Sequence, residues 1–171
     1  HAVACFPAVE TVAVVVDGLK GPDSVTRRLM AIAKERKIPR MLIVNKIDEP
    51  NVDLETLVQT LREAFGNECL PINLPTAKGA RVINVFEHAG DDELGDGTDF
   101  STVHEAHKQI VEQVIEVDDD LTMQYLEEGD GKFDREKLHA AFEKCLESAH
   151  LVPICFCSAK TGAGTDDLLH I

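Results

Sequence analysis

The chain has 171 residues, 44% of them hydrophobic, which is enough for one buried core with a smaller appendage. No apolar run approaches the roughly 18 residues of a membrane span, and no basic stretch leads into an apolar one near the start, so neither a membrane protein nor a signal peptide is expected. The formal net charge of −14 argues against nucleic acid as a direct partner.

In chain order, Thr11 to Asp17 (TVAVVVD) is a continuous β-branched run, the pattern of a parallel strand covered on both faces. Gly18 and Gly21-Pro22 end it. Asp23 or Ser24 can cap a helix with Val25, Leu29, Ile32 and Ala33 as its apolar positions, and Lys34, Arg36 and Lys37 suit its C-terminal end. A second apolar strand follows from Pro39 to Val44. Two strands joined by a helix in about 35 residues predict parallel neighbours. Asp53 can cap the next helix, with Leu54, Leu57, Val58, Leu61 and Phe65 on one face and Gly66 at its end. Leu70 to Leu74 and Arg81 to Glu87 read as short strands, and Glu87 to Ser101 as a Gly- and Asp-rich loop. His104 to Val117 is predicted helical, with Ala106, Ile110, Val111, Val114 and Ile115 inward. A further helix is capped by Asp134 and buries Leu138, Phe142, Cys145, Leu146 and Ala149. Leu151 to Cys157 is another apolar strand, followed by a short helix that Thr165 can cap, with Asp166 and Asp167 in its first turn.

The charge is unevenly placed. Between Phe86 and Gly131 stand 15 Asp and Glu against a single cation, Lys108, so this segment carries the whole imbalance and the remainder is neutral. Such a block suggests a separate module that can meet a basic protein, or a solvated face that aids solubility. The five cysteines have no framework spacing. Cys155 and Cys157 are expected to be small core residues and not a metal or redox pair, in a reducing, cytoplasmic compartment. The histidines form no metal-ligand set, and no metal site is expected in the chain.

The second strand runs into Asn45-Lys46-Ile47-Asp48, and the last one into Ser158-Ala159-Lys160. In open α/β sheets ligands bind at the carboxyl ends of parallel strands. An N-K-x-D alone is weak; at a strand exit, with a second exit of defined letters, it is sharper. A carboxylate at position 48 accepts from two adjacent donors, and guanine presents two, its ring N1–H and its exocyclic amino group. Adenine presents neither, so Asp48 would be left unpaired against it. Asn45 can donate to the purine N7 and tie the loops together. The Lys46 stem can lie along the base with its ammonium in solvent. Ser158, Ala159 and Lys160 can offer backbone N–H groups to the guanine carbonyl.

These motifs, with the run from Ala8 to Asp48 that precedes them, resemble the G domain of translational GTPases, specifically elongation factor G and its elongation-factor-G-like relatives. The resemblance covers nearly the whole chain. N-K-x-D matches Asn45, Lys46 and Asp48; S-A-[KLF] matches Ser158, Ala159 and Lys160. The 109 residues between Asp48 and Ser158 exceed what a minimal GTPase needs, and the family carries an inserted subdomain, G′, at this place. The resemblance implies an α/β fold: a partial P-loop-NTPase-type parallel sheet with helices, interrupted by a small α+β insertion. It implies a G-domain core of residues 1–70 and 150–171 and a G′-like subdomain of residues 71–149. It also implies GTP or GDP as ligand, and a parent protein that hydrolyses GTP on the ribosome in the cytoplasm. A ribosomal stalk protein is the expected partner of the acidic insertion, and no membrane is involved. No G-x-x-x-x-G-K-[ST] occurs, nor a D-x-x-G before Thr11, so the phosphate, Mg2+ and attacking-water contacts that those motifs make in the family find no match here. No catalytic residue is assigned in the chain, which alone is expected not to turn over GTP. A protein-docking module, or part of another translational GTPase such as a release factor or ribosome-protection protein, are the competing readings.

Overall fold

A computed structural model describes residues 2–88, 97–117, 121–123 and 135–169. After a 3-10 helix at Ala2–Ala8, the described residues include the elements β1 (Val12–Asp17), α1 (Ser24–Glu35), β2 (Arg40–Asn45), α2 (Leu54–Phe65), β3 (Cys69–Pro71), β4 (Asn73–Thr76), β5 (Arg81–Asn84), α3 (Val103–Ile115), α4 (Arg135–Glu147), β6 (Val152–Phe156) and α5 (Thr165–Leu169). Four strands form one parallel sheet in the order β1-β2-β6-β3, while β4 and β5 pair as an antiparallel hairpin. The mixed α/β class with a parallel sheet is as expected.

The register explains the site. β1 lies along β2 from Val12 opposite Arg40 to Asp17 opposite Asn45. The last strand, β6, inserts between β2 and β3, with Val44 opposite Phe156 and Pro71 opposite Ile154. The chain therefore leaves a gap after β2, crosses over through α2 to β3, and fills the gap about 80 residues later. All four strands point the same way, so their carboxyl ends share one edge of the sheet.

Both faces of the sheet are covered over β2, β6 and β3, which read as continuous apolar runs. The edge strand β1 departs from the expected double cover, alternating buried and exposed with Val15 60% exposed. On one face Val12, Val14, Val16, Leu42, Val44, Ile154 and Phe156 pack with Met30 and Ala33 of α1 and with Leu54, Leu57, Val58 and Leu61 of α2. Each such fully buried side chain contributes about 1.5–3 kcal/mol of transfer free energy. On the other face Leu70, Leu151 and Cys155 pack with β4 and with Val103, Ala106, Ile110, Val111 and Val114 of α3 and Ala141 and Cys145 of α4. The described part of the acidic block thus shares a core with the sheet: α3 turns its apolar stripe inward and leaves Glu105, Glu112 and Glu116 exposed. Asp118, Asp119 and Asp120, Asp134 as a cap, and most of the loop from Glu87 to Ser101 lie outside the described residues.

Three further expectations are corrected. Val25 is not inward; it is 60% exposed, and the buried positions of α1 are Thr26, Met30 and Ala33. The Asp23 carboxylate caps the helix, accepting the Thr26 N–H at 2.7 Å, and the other expected positions hold, with Leu29 and Ile32 packed against the core and Ala33 buried. Leu70 to Leu74 is not one strand. Cys69–Pro71 joins the parallel sheet, the chain bends at Ile72, and Asn73–Thr76 starts the hairpin. Pro71 and Pro75 each lack an N–H, so neither can donate to a ladder on both sides. The third correction concerns Lys46 and belongs to the site. Cys155 and Cys157 are buried in the core as expected, and burial pushes the Cys155 thiol up to about 12.

Candidate functional site

Parallel pairing of β2 with β6 brings two loops together although 110 positions separate their key side chains. The backbone first locks them: the Cys157 N–H donates to the Val44 carbonyl at 2.8 Å and the Ile47 N–H to the Cys157 carbonyl at 3.4 Å. Ile47 is buried and anchors the first loop in the core, while Lys46 before it takes a left-handed conformation at φ 71°. That pairing turns Asn45 and Asp48 toward the second loop.

The Asn45 Oδ1 accepts two N–H groups, from Lys46 at 2.8 Å and from Ala159 across the sheet at 3.0 Å. Among the described residues, its Nδ2 meets no protein acceptor. The Ser158 hydroxyl, wholly buried, donates to Asp48 Oδ1 at 2.6 Å and accepts the Thr161 N–H at 3.2 Å. Lys160 Nζ stands 3.5 Å from Asp48 Oδ2 and 3.9 Å from Glu49 Oε1, at the exposed rim. Of the three N–H groups expected to face a ligand, two are engaged within the protein: Ser158 donates to the Ala163 carbonyl and Ala159 to Asn45. Among the described residues, the Lys160 N–H meets no protein acceptor. All six motif residues, Asn45, Lys46, Asp48, Ser158, Ala159 and Lys160, therefore lie on two loops that meet at adjacent strand exits.

Lys46 departs from expectation. Its ammonium is not free in solvent; it donates to Asp17 Oδ2 at 2.6 Å. Asp17 closes β1 directly opposite Asn45, and its other oxygen accepts the Leu19 N–H at 3.0 Å. The stem of Lys46 is thus fixed between two strand exits. Sequence reasoning missed Asp17, although its place as the last residue of a strand paired with β2 was a usable signal.

A cavity of about 250 Å³ lies between α1 and α2, lined by Arg27, Met30, Lys34, Arg40 and Phe65. It lies at the start of β2, the opposite end of the strand from Asn45, where Glu68 pairs with Lys34 at 2.9 Å and Arg40 at 3.4 Å. Among the described residues, no three His, Cys, Asp or Glu side chains are placed to hold a metal ion.

Two carboxyls of the groove titrate below the ordinary 3.8, Asp17 chiefly through the hydrogen bond from the Lys46 ammonium and Asp48 chiefly through that from the Ser158 hydroxyl. A carboxyl with a lowered folded pKa stabilises the fold fully above its unfolded value, and that contribution is lost as the pH falls through the folded value. Stability is therefore expected to hold from neutral pH down to roughly pH 4 and to decline below it. Urea midpoints across that range check this, and Asp17→Asn should flatten the acid limb. An acid limb as steep in Asp17→Asn as in the parent would count against the pairing.

With this geometry in place, comparison with known proteins is decisive. The family described as the elongation factor Tu GTP binding domain matches residues 3–171. The chain belongs to that family. Among similar proteins are an elongation factor G-like protein of Thermotoga maritima, 26% identical over 94% of this chain and 24% of its own length, and an elongation factor G of Fervidobacterium nodosum, 28% identical over 91% and 24%. Peptide chain release factor 3 of Streptococcus uberis is 29% identical over 95% of this chain and 30% of its own. A crystal structure of a Thermus thermophilus protein superimposes with a TM-score of 0.78 at 26% identity, covering 95% of this chain and 26% of that one. The expected family, that of the GTP-binding domain of translation factors, is thereby established. The chain spans about a quarter of the length of these curated relatives.

Proposed function

We propose that Asn45, Lys46, Asp48, Ser158, Ala159 and Lys160 read the guanine base of GTP or GDP in an elongation-factor-G-like GTPase that works on the ribosome. The observation that carries this is the hydrogen bond from Ser158 to Asp48, with that from Ala159 to Asn45: together they join two motifs at adjacent strand exits into one groove. Asp48 accepts from the guanine N1–H and amino group, Asn45 donates to N7, Lys160 offers its N–H to the carbonyl, and the Lys46 stem, held by Asp17, lines the base. In the same reading residues 1–70 and 150–171 form the G-domain core and 71–149 a G′-like insertion. The chain supplies base recognition. We assign no catalytic residue and no magnesium ligand within it.

The test is a competition titration. The full-length protein should prefer GDP to ADP by about 10⁴-fold, the scale on which a site with buried polar groups rejects an analogue that leaves them unpaired. The 171-residue chain alone should bind GTP at about millimolar or weaker, since charge-rich phosphate contacts supply much of nucleotide affinity. Equal affinity for GDP and ADP would refute the assignment.

The similarity to release factor 3 supports a second identity for the parent, a GTPase of termination. In either parent the acidic segment from Phe86 to Gly131 is proposed as a docking face for a basic ribosomal protein such as the stalk, supported by the exposed Glu105, Glu112 and Glu116 on the outer side of α3.

A further inference from the structure

The hairpin β4–β5 supplies none of the motif residues, yet it reaches both loops of the groove. Its turn holds three successive residues in the left-handed region, Ala77 at φ 52°, Lys78 at 59° and Gly79 at 73°. Asp99, which the sequence presents as one charge of an acidic block, fixes that turn: one carboxylate oxygen accepts the Lys78 N–H at 2.8 Å and the other the Gly79 N–H at 2.7 Å. Asp99 is held in turn by its own N–H, which donates to the Pro75 carbonyl at 2.8 Å. Gly79 is buried, and its α-carbon faces the Asn45–Asp48 loop. A Cβ there would overlap the Ile47 carbonyl and come within 3.0 Å of the Asp48 N. At the other end of β4, the Asn73 amide accepts the Phe156 N–H at 2.7 Å and donates to the Phe156 carbonyl at 3.2 Å, two residues before Ser158.

We propose that the β4–β5 hairpin is a positioning element of the base site, with Gly79 and Asp99 setting where Asp48 stands and Asn73 setting where Ser158 stands. The first elements after β3 would then couple the inserted region to base discrimination. The inference rests on the guanine reading above. None of these residues touches the base; they act through Asp48 and Ser158. Because the turn abuts backbone and not a flexible side chain, a methyl group at position 79 must move either the turn or the loop that carries Asp48. Displacements of about 1 Å at such distances cost up to about 10²-fold in function.

The test compares GDP with inosine diphosphate, which lacks the amino group that Asp48 reads. Affinities are measured on the full-length protein and its variants, with thermal unfolding alongside. The parent should prefer GDP by about tenfold or more. Gly79→Ala should lose more GDP affinity than inosine diphosphate affinity, since inosine keeps only the N1–H of the two donors that Asp48 reads, so the preference falls toward one. Asp99→Ala removes the clamp without adding atoms and should act in the same direction; Asp99→Asn, which keeps one acceptor oxygen, should fall between. If Gly79→Ala does not fold, the Asp99 pair decides. Folded variants that lose both ligands equally, or keep the parent's ratio, would overturn the proposal while leaving the guanine reading intact. A parent indifferent to the amino group would overturn both.

Discussion

Asp48→Asn in the full-length protein is expected to exchange guanine for xanthine preference. The carboxylate accepts from two guanine donors, and xanthine replaces one of them, the amino group, by a carbonyl that a carboxylate repels. The geometry adds a reason why an amide should succeed here. Ser158 donates to Asp48 Oδ1 at 2.6 Å, so the buried hydroxyl orients an asparagine with its carbonyl oxygen toward Ser158. That leaves the amide nitrogen at the Oδ2 position, on the open side beside Lys160, where it can donate to the xanthine carbonyl. GDP affinity should fall by about 10³-fold or more and xanthosine diphosphate affinity should rise, each buried group left unpaired costing about 1–3 kcal/mol. Competition binding with both nucleotides measures it. An unchanged guanine preference would mean that Asp48 does not face the base. Because the fold-stabilising bond from Ser158 is kept, the variant should unfold at nearly the parent's urea midpoint, which separates lost recognition from lost structure.

The scaffold of this site was legible because its signals are periodic. The β-branched run of β1, the capped stripe of α2 from Leu54 to Leu61, and the inward face of α3 each repeat over several turns or residues, and each stands where expected. The end of β2 at Asn45 was equally legible, since the apolar run stops there. What stayed hidden depends on single residues meeting across long separations. Asp17 captures Lys46 from 29 positions away, and Asn73 reaches Phe156 across 83. No local pattern marks an asparagine in a four-residue strand as a buried node, or tells which of Lys78 and Gly79 must lie flat against another loop. In α1 one expected position departs: Leu29 and Ile32 pack against the core and Ala33 is buried, but Val25, in the first turn, is exposed. Insertion of β6 between β2 and β3 pairs strands that lie about 80 residues apart, and no residue pattern marks it.

Asn73→Ala should be among the most destabilising single substitutions in the chain, by about 3 kcal/mol. Asn73 is wholly buried. Its Oδ1 accepts the Phe156 N–H at 2.7 Å, and its Nδ2 donates to the Phe156 carbonyl at 3.2 Å and to Asp167 Oδ2 at 3.0 Å. Those contacts tie β4 to the last residue of β6 and to the first turn of α5. Alanine leaves a buried N–H and a buried carbonyl without partners, at about 1–3 kcal/mol each, in addition to a small cavity. Asn73→Asp separates the polar loss from the volume loss. It keeps the shape and the acceptor for the Phe156 N–H, but sets its second oxygen against the Phe156 carbonyl and Asp167. Its carboxyl must ionise in an apolar place beside another acid, so its folded pKa lies above its unfolded one. Its destabilisation is therefore absent below the unfolded pKa and complete once the pH exceeds the folded one, the reverse of the acid dependence contributed by Asp17 and Asp48. Urea unfolding of both variants at neutral and acidic pH should show Asn73→Ala low throughout and Asn73→Asp recovering on acidification. An Asn73→Ala midpoint equal to the parent's would mean that β4 is held to β6 by packing alone, and the groove would then owe nothing to this amide.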